Sequence, residues 1–192
     1  EQEVRAAAGL DHPHVTEPLE LLEAGPAAAC MLGIAADAPV LAMELATDGT
    51  LLERAGHMGW PSLRRALSEL LQALAHAHAR GIVHLDIKPE NVLMHEGGVR
   101  LADFGLARAV GGETDRICGT PAFMAPEAIR GGELGPATDL YMVGCLAWTM
   151  AAARLPFEGS ARDILQRQLS DPLPPLDSVV ELPEAFEAWT GA

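Results

Sequence analysis

The run Leu140 to Ala153 (LYMVGCLAWTMAAA) carries no charged side chain. Such a stretch has to be hidden from water, yet its length of about 14 residues falls well short of the roughly 20 needed to span a bilayer. It therefore predicts a buried helix at the centre of a globular domain, and the rest of the chain has to be arranged to cover it. With 192 residues, 49% of them hydrophobic, there is material for a single sizeable core, or for one domain and part of another.

A second helix is marked by Leu63, Ala66, Leu67, Leu70, Leu71, Leu74 and Ala75, which fall on one stripe between Ser62 and Arg80, with Gly81 as the stop. The opening EQEVRAAAGLDHPHV has helical spacing at Val4, Ala7, Ala8 and Leu10 and breaks at Asp11-His12-Pro13. Two strands are expected between Glu17 and Leu45, the second over Val40 to Leu45. Val92-Leu93-Met94 and Val99-Arg100-Leu101-Ala102 flank His95-Glu96-Gly97-Gly98, the pattern of a hairpin with a four-residue loop. Beyond it come a loop to about Pro126, a helix around Arg162 to Leu169 and a proline-rich exit from Pro172. No internal repeat or low-complexity linker suggests a second functional unit.

The formal net charge of −14 argues against nucleic acid as a partner, because phosphate backbones are held by clustered Lys and Arg. An acidic surface of this kind serves solubility. Cys30, Cys118 and Cys145 are odd in number and lack metal or redox spacing, which suits a reducing cytoplasm, as does the lack of a leader pattern at the start. His12-x-His14 and His76-x-His78 are two apart, a spacing that on a helix points side chains to different faces, so they read as structural residues rather than zinc ligands.

Lys88 is the only lysine in the chain. It lies in His84-Leu85-Asp86-Ile87-Lys88-Pro89-Glu90-Asn91, just before the hairpin. Folding the two strands together brings their open ends side by side, which makes Asn91 and Asp103 neighbours. An amide oxygen beside a carboxylate is a hard-oxygen pair suited to Mg²⁺. Asp86 and Lys88 rim the same opening, where a carboxylate can orient a hydroxyl and take its proton while an ammonium neutralises charge on a transferred phosphoryl group.

These residues, followed by Asp103-Phe104-Gly105 and by Gly119-Thr120-Pro121-Ala122-Phe123-Met124-Ala125-Pro126-Glu127, resemble the catalytic loop, metal-binding motif and activation-segment end of eukaryotic-type (Hanks-type) protein kinases. The wording is similar to the serine/threonine branch, and the Ala- and Arg-rich style suggests a bacterial one. The resemblance implies an α+β, protein-kinase-like fold, with a partial N-lobe over residues 1–46 and a mostly helical C-lobe over residues 47–192. It implies ATP and Mg²⁺ as cofactors, a Ser/Thr-bearing protein as substrate, and no membrane segment within these residues.

Carried over position by position, the family implies that Asp86 is the base, that Lys88 contacts the γ-phosphate, that Asn91 and Asp103 hold Mg²⁺ and that Thr120 bonds toward Asp86 and Lys88. Met43 matches the gatekeeper, Glu44 to Ala46 the hinge that presents backbone groups to adenine, and Leu93 the pocket floor. Glu3 matches the acid of the helix the family calls αC, and Asp139 and Trp148 fall in the helix that anchors the large lobe. His84 is expected to pack beneath the Asp103-Phe104-Gly105 turn.

The family also needs a glycine-rich loop and a lysine on its third strand to pair with Glu3, and neither occurs in this sequence. The chain is accordingly expected to be a fragment from αC to about αG, with strands one to three of the N-lobe missing, and to turn over little by itself. The alternative is a pseudokinase-like scaffold that presents a surface to partners. Leu85 replaces the arginine that in the family pairs with a phosphorylated loop residue. In a complete protein Thr114→Ala should therefore keep most phosphotransfer activity, and a collapse in labelling of a protein substrate by that variant would refute this.

Overall fold

Proline starts both strands of the first sheet, where its missing N–H costs the ladder least. In the computed structural model, which describes residues 10–104, 108–109, 119–183 and 186, β1 (Pro18–Glu23) pairs antiparallel with β2 (Pro39–Met43), with Leu22 opposite Val40 and an irregularity between Pro18 and Glu20. The expected opening helix, with Glu3, and the activation-segment residues Gly105, Thr114 and Cys118 lie outside the described residues.

The segment between these strands is helical, which the sequence reading did not anticipate. Helix α1 (Pro26–Leu32) opens with Pro26 in its first turn and closes on Gly33 at φ +67°, whose N–H bonds to the Ala29 carbonyl. Its seven residues bury only Ala29 and leave Met31 and Leu32 exposed, so no amphipathic stripe announces it.

Helix α2 (Trp60–His78) follows a short 3₁₀ turn, Leu51–Arg54, and buries Leu63, Ala66, Leu67, Leu70 and Leu74 of the predicted stripe together with Ala73 and Ala77, whereas Leu71 is half-buried and Ala75 exposed. Gly81 (φ +72°) ends the stretch in a left-handed conformation that favours glycine. Strand β3 (Ile82–Val83) then pairs with β6 (Arg108–Ala109), while β4 (Val92–His95) and β5 (Gly98–Leu101) form the hairpin.

The hairpin loop is tighter than expected. His95 pairs with Gly98, which leaves Glu96 (φ +49°) and Gly97 (φ +74°) as a two-residue connection. Two successive positive φ values give the turn whose twist matches that of the flanking strands, and this is why His95 and Gly98 join the ladder although neither favours a strand.

After the 3₁₀ turn Pro121–Phe123 and the short α3 (Pro126–Ile129), the apolar run forms most of α4 (Pro136–Ala152). Leu146, Ala147 and Trp148 are fully buried, and α4 packs against α2 and the Pro121–Phe123 turn. Helix α5 (Ala161–Ser170) begins with a reciprocal cap in which Ser160 Oγ accepts from the Asp163 N–H at 3.3 Å and Asp163 Oδ2 accepts from the Ser160 N–H at 3.2 Å. Leu63, Leu70 and Leu74 of α2, Val92 and Leu101 of the hairpin and Leu146 of α4 belong to one core cluster. The α+β arrangement agrees with the fold class read from the sequence.

The run of α4 is not uniform, because Leu140 is 52% exposed whereas Leu146 is 0% exposed. Leu146→Ala should cost roughly 2–5 kcal/mol, and Leu140→Ala no more than about 0.5 kcal/mol, in urea denaturation; equal losses would place the buried face wrongly.

Candidate active site

The segment His84 to Asn91 joins β3 to β4, and a carboxylate from α4 fixes its entry. Asp139, fully buried, accepts from the backbone N–H of His84 (2.9 Å, Oδ2) and of Leu85 (2.9 Å, Oδ1), and from His78 Nε2 of α2 (2.7 Å, Oδ2). The Leu85 backbone is left-handed, at φ +69°, a conformation costly for a non-glycine residue unless its surroundings hold it. The two N–H bonds to Asp139 do so, and the Leu85 side chain is buried with Val83 and Leu134.

His84 lies fully buried, its ring edge-on to Phe104 with centroids 4.6 Å apart. Its Nδ1 accepts from the Asp86 N–H at 3.3 Å, so Nε2 carries the proton and donates to the Ala102 carbonyl at 3.0 Å. Burial lowers its pKa, against the opposing pull of Asp139, the Ala102 carbonyl and the carboxylates of Asp86 and Asp103. The neutral ring thus ties the base of the loop to the strand end leading into Asp103.

Four of the expected residues, Asp86, Lys88, Asn91 and Thr120, form one network. Asp86 Oδ2 accepts from Lys88 Nζ at 2.8 Å and from Asn91 Nδ2 at 3.0 Å, while Oδ1 accepts from Thr120 Oγ1 at 3.1 Å. Thr120 Oγ1 in turn accepts from Lys88 Nζ at 3.2 Å. Oδ2 has both lone pairs engaged, so Oδ1 retains the one available for a further donor. Burial alone would raise the Asp86 pKa; the ammonium of Lys88 and the hydrogen bonds from Asn91 and Thr120 outweigh it and hold the carboxyl below the usual carboxylate range.

Asn91 and Asp103 are brought together as the hairpin predicts. The Ala102 N–H bonds to the Asn91 carbonyl at 2.9 Å, which sets the residue after Ala102 beside Asn91. Asn91 Nδ2 also donates to the Asp86 carbonyl at 2.9 Å, so its carboxamide oxygen is turned away from Asp86. Asp103 is exposed and left-handed, at φ +61°. An amide oxygen and an exposed carboxylate at one strand end fit a hard divalent cation.

The segment Met43 to Ala46 reaches this region from β2. Met43 is 39% exposed, Leu45 points to solvent and Ala46 is half-buried. The Glu44 N–H bonds to the Glu17 carbonyl at 3.2 Å, which leaves its own carbonyl as the unbonded backbone group. The Glu44 side chain accepts from the Glu17 N–H at 2.9 Å and is paired with Arg100, whose strand partner is Leu93. Burial would raise the Glu44 pKa, but the Glu17 N–H and the Arg100 guanidinium outweigh it and lower it. Arg100 thereby ties the segment after β2 to the hairpin that carries Leu93.

Sequence reasoning missed Arg100, although its place between core-facing Val99 and Leu101 turns it to the opposite side of β5. It also missed His78 as a partner of Asp139, since no spacing rule links residues 61 apart. Of the two histidine pairs only His76 and His78 diverge, for His76 stacks near His12 (4.9 Å between centroids) while His78 turns to Asp139; the His12 and His14 rings lie 5.5 Å apart. Among the described residues no group of three or more His, Cys, Asp or Glu is placed to hold a metal. Burial pushes the Cys145 thiol up to about 12, which rules it out as a nucleophile near neutral pH.

Residues 1–187 match the model of the protein kinase domain. The chain belongs to the protein kinase family. It is 40% identical over 159 residues to the serine/threonine-protein kinase PknL of Mycobacterium tuberculosis, covering 78% of this chain and 40% of that one. It is 37% identical over 172 residues to CBL-interacting protein kinase 4 of Oryza sativa subsp. japonica (83% and 35%), and 37% identical over 126 residues to calcium/calmodulin-dependent protein kinase type IV of Mus musculus (61% and 27%). It thus spans 40% or less of the length of these kinases. The serine/threonine kinase family and the α+β fold class expected from the sequence agree with these matches, and among the described residues no helix is long and apolar enough to cross a membrane.

The neutral state of His84 gives the site a pH dependence. Its folded pKa lies below the unfolded value of about 6.5, so the unfolded chain takes up a proton that the folded chain refuses, and stability falls as pH falls through that value toward the folded one. Protonation at Nδ1 would also break the bond from the Asp86 N–H. His84→Gln keeps a donor and an acceptor but cannot titrate, so its melting temperature should fall less steeply than that of the unaltered chain between about pH 7 and pH 5; identical slopes would show that other groups govern the acid limb.

Proposed function

We propose that the parent protein transfers the γ-phosphoryl group of ATP to Ser or Thr hydroxyls of protein substrates, with Asp86 as the base. The observation that carries this reading is the Asp86 carboxylate, held from three sides by Lys88, Asn91 and Thr120 with one lone pair of Oδ1 left over. That lone pair is placed to accept a hydrogen bond from the substrate hydroxyl. Because its pKa is held low, Asp86 is a weak base: it orients the hydroxyl and takes the proton late, as the new P–O bond forms. Lys88, already between Asp86 and Thr120, neutralises charge on the transferred group.

Asn91 and Asp103 would hold Mg²⁺, which would supply positive charge to offset that of the phosphates. The carbonyl of Glu44 and the backbone of Ala46 receive adenine, Met43 stands at the back of its pocket and Leu93 forms the floor. In this reading residues 1–46 contribute to the smaller lobe and residues 47–192 to the larger, and the protein works in the cytoplasm, where ATP is available. Glu3 takes its partner from a lysine that these 192 residues do not contain. The isolated chain should therefore label protein substrates only weakly, since half of the phosphate clamp is lacking.

The test is ATP-dependent labelling of a Ser/Thr-containing protein by the parent protein. Asp86→Asn should lower kcat by about 10²–10⁴-fold while nucleotide affinity stays within a factor of about two. Undiminished turnover in that variant would remove Asp86 from the reaction, and absence of any turnover in the unaltered parent would favour a scaffold.

A further inference from the structure

At the turn end of the β4–β5 hairpin lies a second concavity of about 300 Å³, bounded by the N-terminal half of α2, the loop before it and the Gly97-Gly98 turn. Asn91 and Asp103 lie at the opposite end of the same hairpin. Strands of four residues, at about 3.3 Å per residue, separate the two ends by roughly 13 Å. A ligand here would leave the Asp86 centre open.

The lining has a consistent chemistry. Met58 and Met94 are half-buried and give the groove an apolar floor, while Arg54, His57 and Arg65 stand exposed around its rim. One acid is present, Glu69, and it is already satisfied: Oε2 accepts from the Val99 N–H at 2.9 Å and Oε1 from Arg65 Nε at 2.7 Å. Arg65 spends only Nε on this contact and is 62% exposed, so its terminal nitrogens remain for a second carboxylate. Arg54 makes one long side-chain bond among the described residues, 3.4 Å to the Asp48 carbonyl. His57 Nδ1 is held by the Ala55 carbonyl at 2.8 Å, which leaves Nε2 facing outward. A chain with a net charge of −14 and only 13 Lys and Arg has placed two arginines and a histidine around one apolar floor.

We propose that this groove docks a short acidic segment of a partner protein, with an apolar side chain on Met58 and Met94 and flanking carboxylates on Arg54 and Arg65. Charge selects the partner: two copies of a chain at −14 repel one another, whereas a local cationic rim attracts a carboxylate-bearing peptide. The volume suits a few side chains rather than a folded surface. This inference stands apart from the assignment of Asp86, since the groove shares no residue with that network.

The test is fluorescence polarisation with the full chain and a labelled octapeptide of alternating leucine and aspartate, compared with the same peptide carrying asparagine for aspartate. The aspartate peptide should bind about tenfold or more tighter, and Arg54→Glu should remove that preference with an unchanged melting temperature; His57→Glu provides a second variant that touches no core contact. Equal affinity for the two peptides would overturn the proposal, as would a preference that survives both variants. Sedimentation showing a dimer that Arg54→Glu dissociates would also overturn it, by assigning the groove to a second copy.

Discussion

A carboxylate without access to water holds the site together. Asp139 stands in the first turn of an otherwise apolar helix, and an unpaired charge there would be costly. It is compensated by three donors from two separate segments, so α2, α4 and the loop entering the site are fixed relative to one another by one side chain. The left-handed backbone at Leu85, just before Asp86, depends on it. Removing the acid would strand two buried N–H groups as well as break the tie to His78, which is why so local a group has influence across the larger part of the fold.

Above that anchor the polar contacts form a relay without gaps. His84 links Asp86 to Ala102, Ala102 links to Asn91, and Asn91 returns to Asp86. The ring closes through neutral or paired groups alone. Such closed networks hold geometry more tightly than the sum of their bonds, because each member is oriented by two others. Leu85 adds an apolar brace through Val83 and Leu134 where an arginine would have depended on a charged partner.

How much of this was legible in the sequence follows from range. The stripe of α2, the run of α4 and the hairpin were readable because their signals are local, and the hairpin alone was enough to bring Asn91 and Asp103 together. The proximity of Thr120 to Asp86 and Lys88 came from family resemblance, since 32 residues separate Lys88 from Thr120 and no periodicity spans that interval. Helix α1 escaped because a short exposed helix needs no apolar stripe, and the two-residue turn was read as four because His95 and Gly98 lack strand propensity and are paired only by the twist their neighbours impose. His78 and Arg100 act on residues far away in sequence and carry no motif of their own.

The carboxamide of Asn91 has two ends: its nitrogen steadies Asp86 through two hydrogen bonds, which leaves its oxygen turned away from that residue. The two ends share one rigid plane, so neither can be repositioned without dragging the other. In the proposed reaction, any shorter or longer replacement would alter acid–base alignment and ion affinity at the same moment. For a lineage under selection this is a lock: the two properties cannot be adjusted separately at this position, and variation has to be taken up by the residues around it.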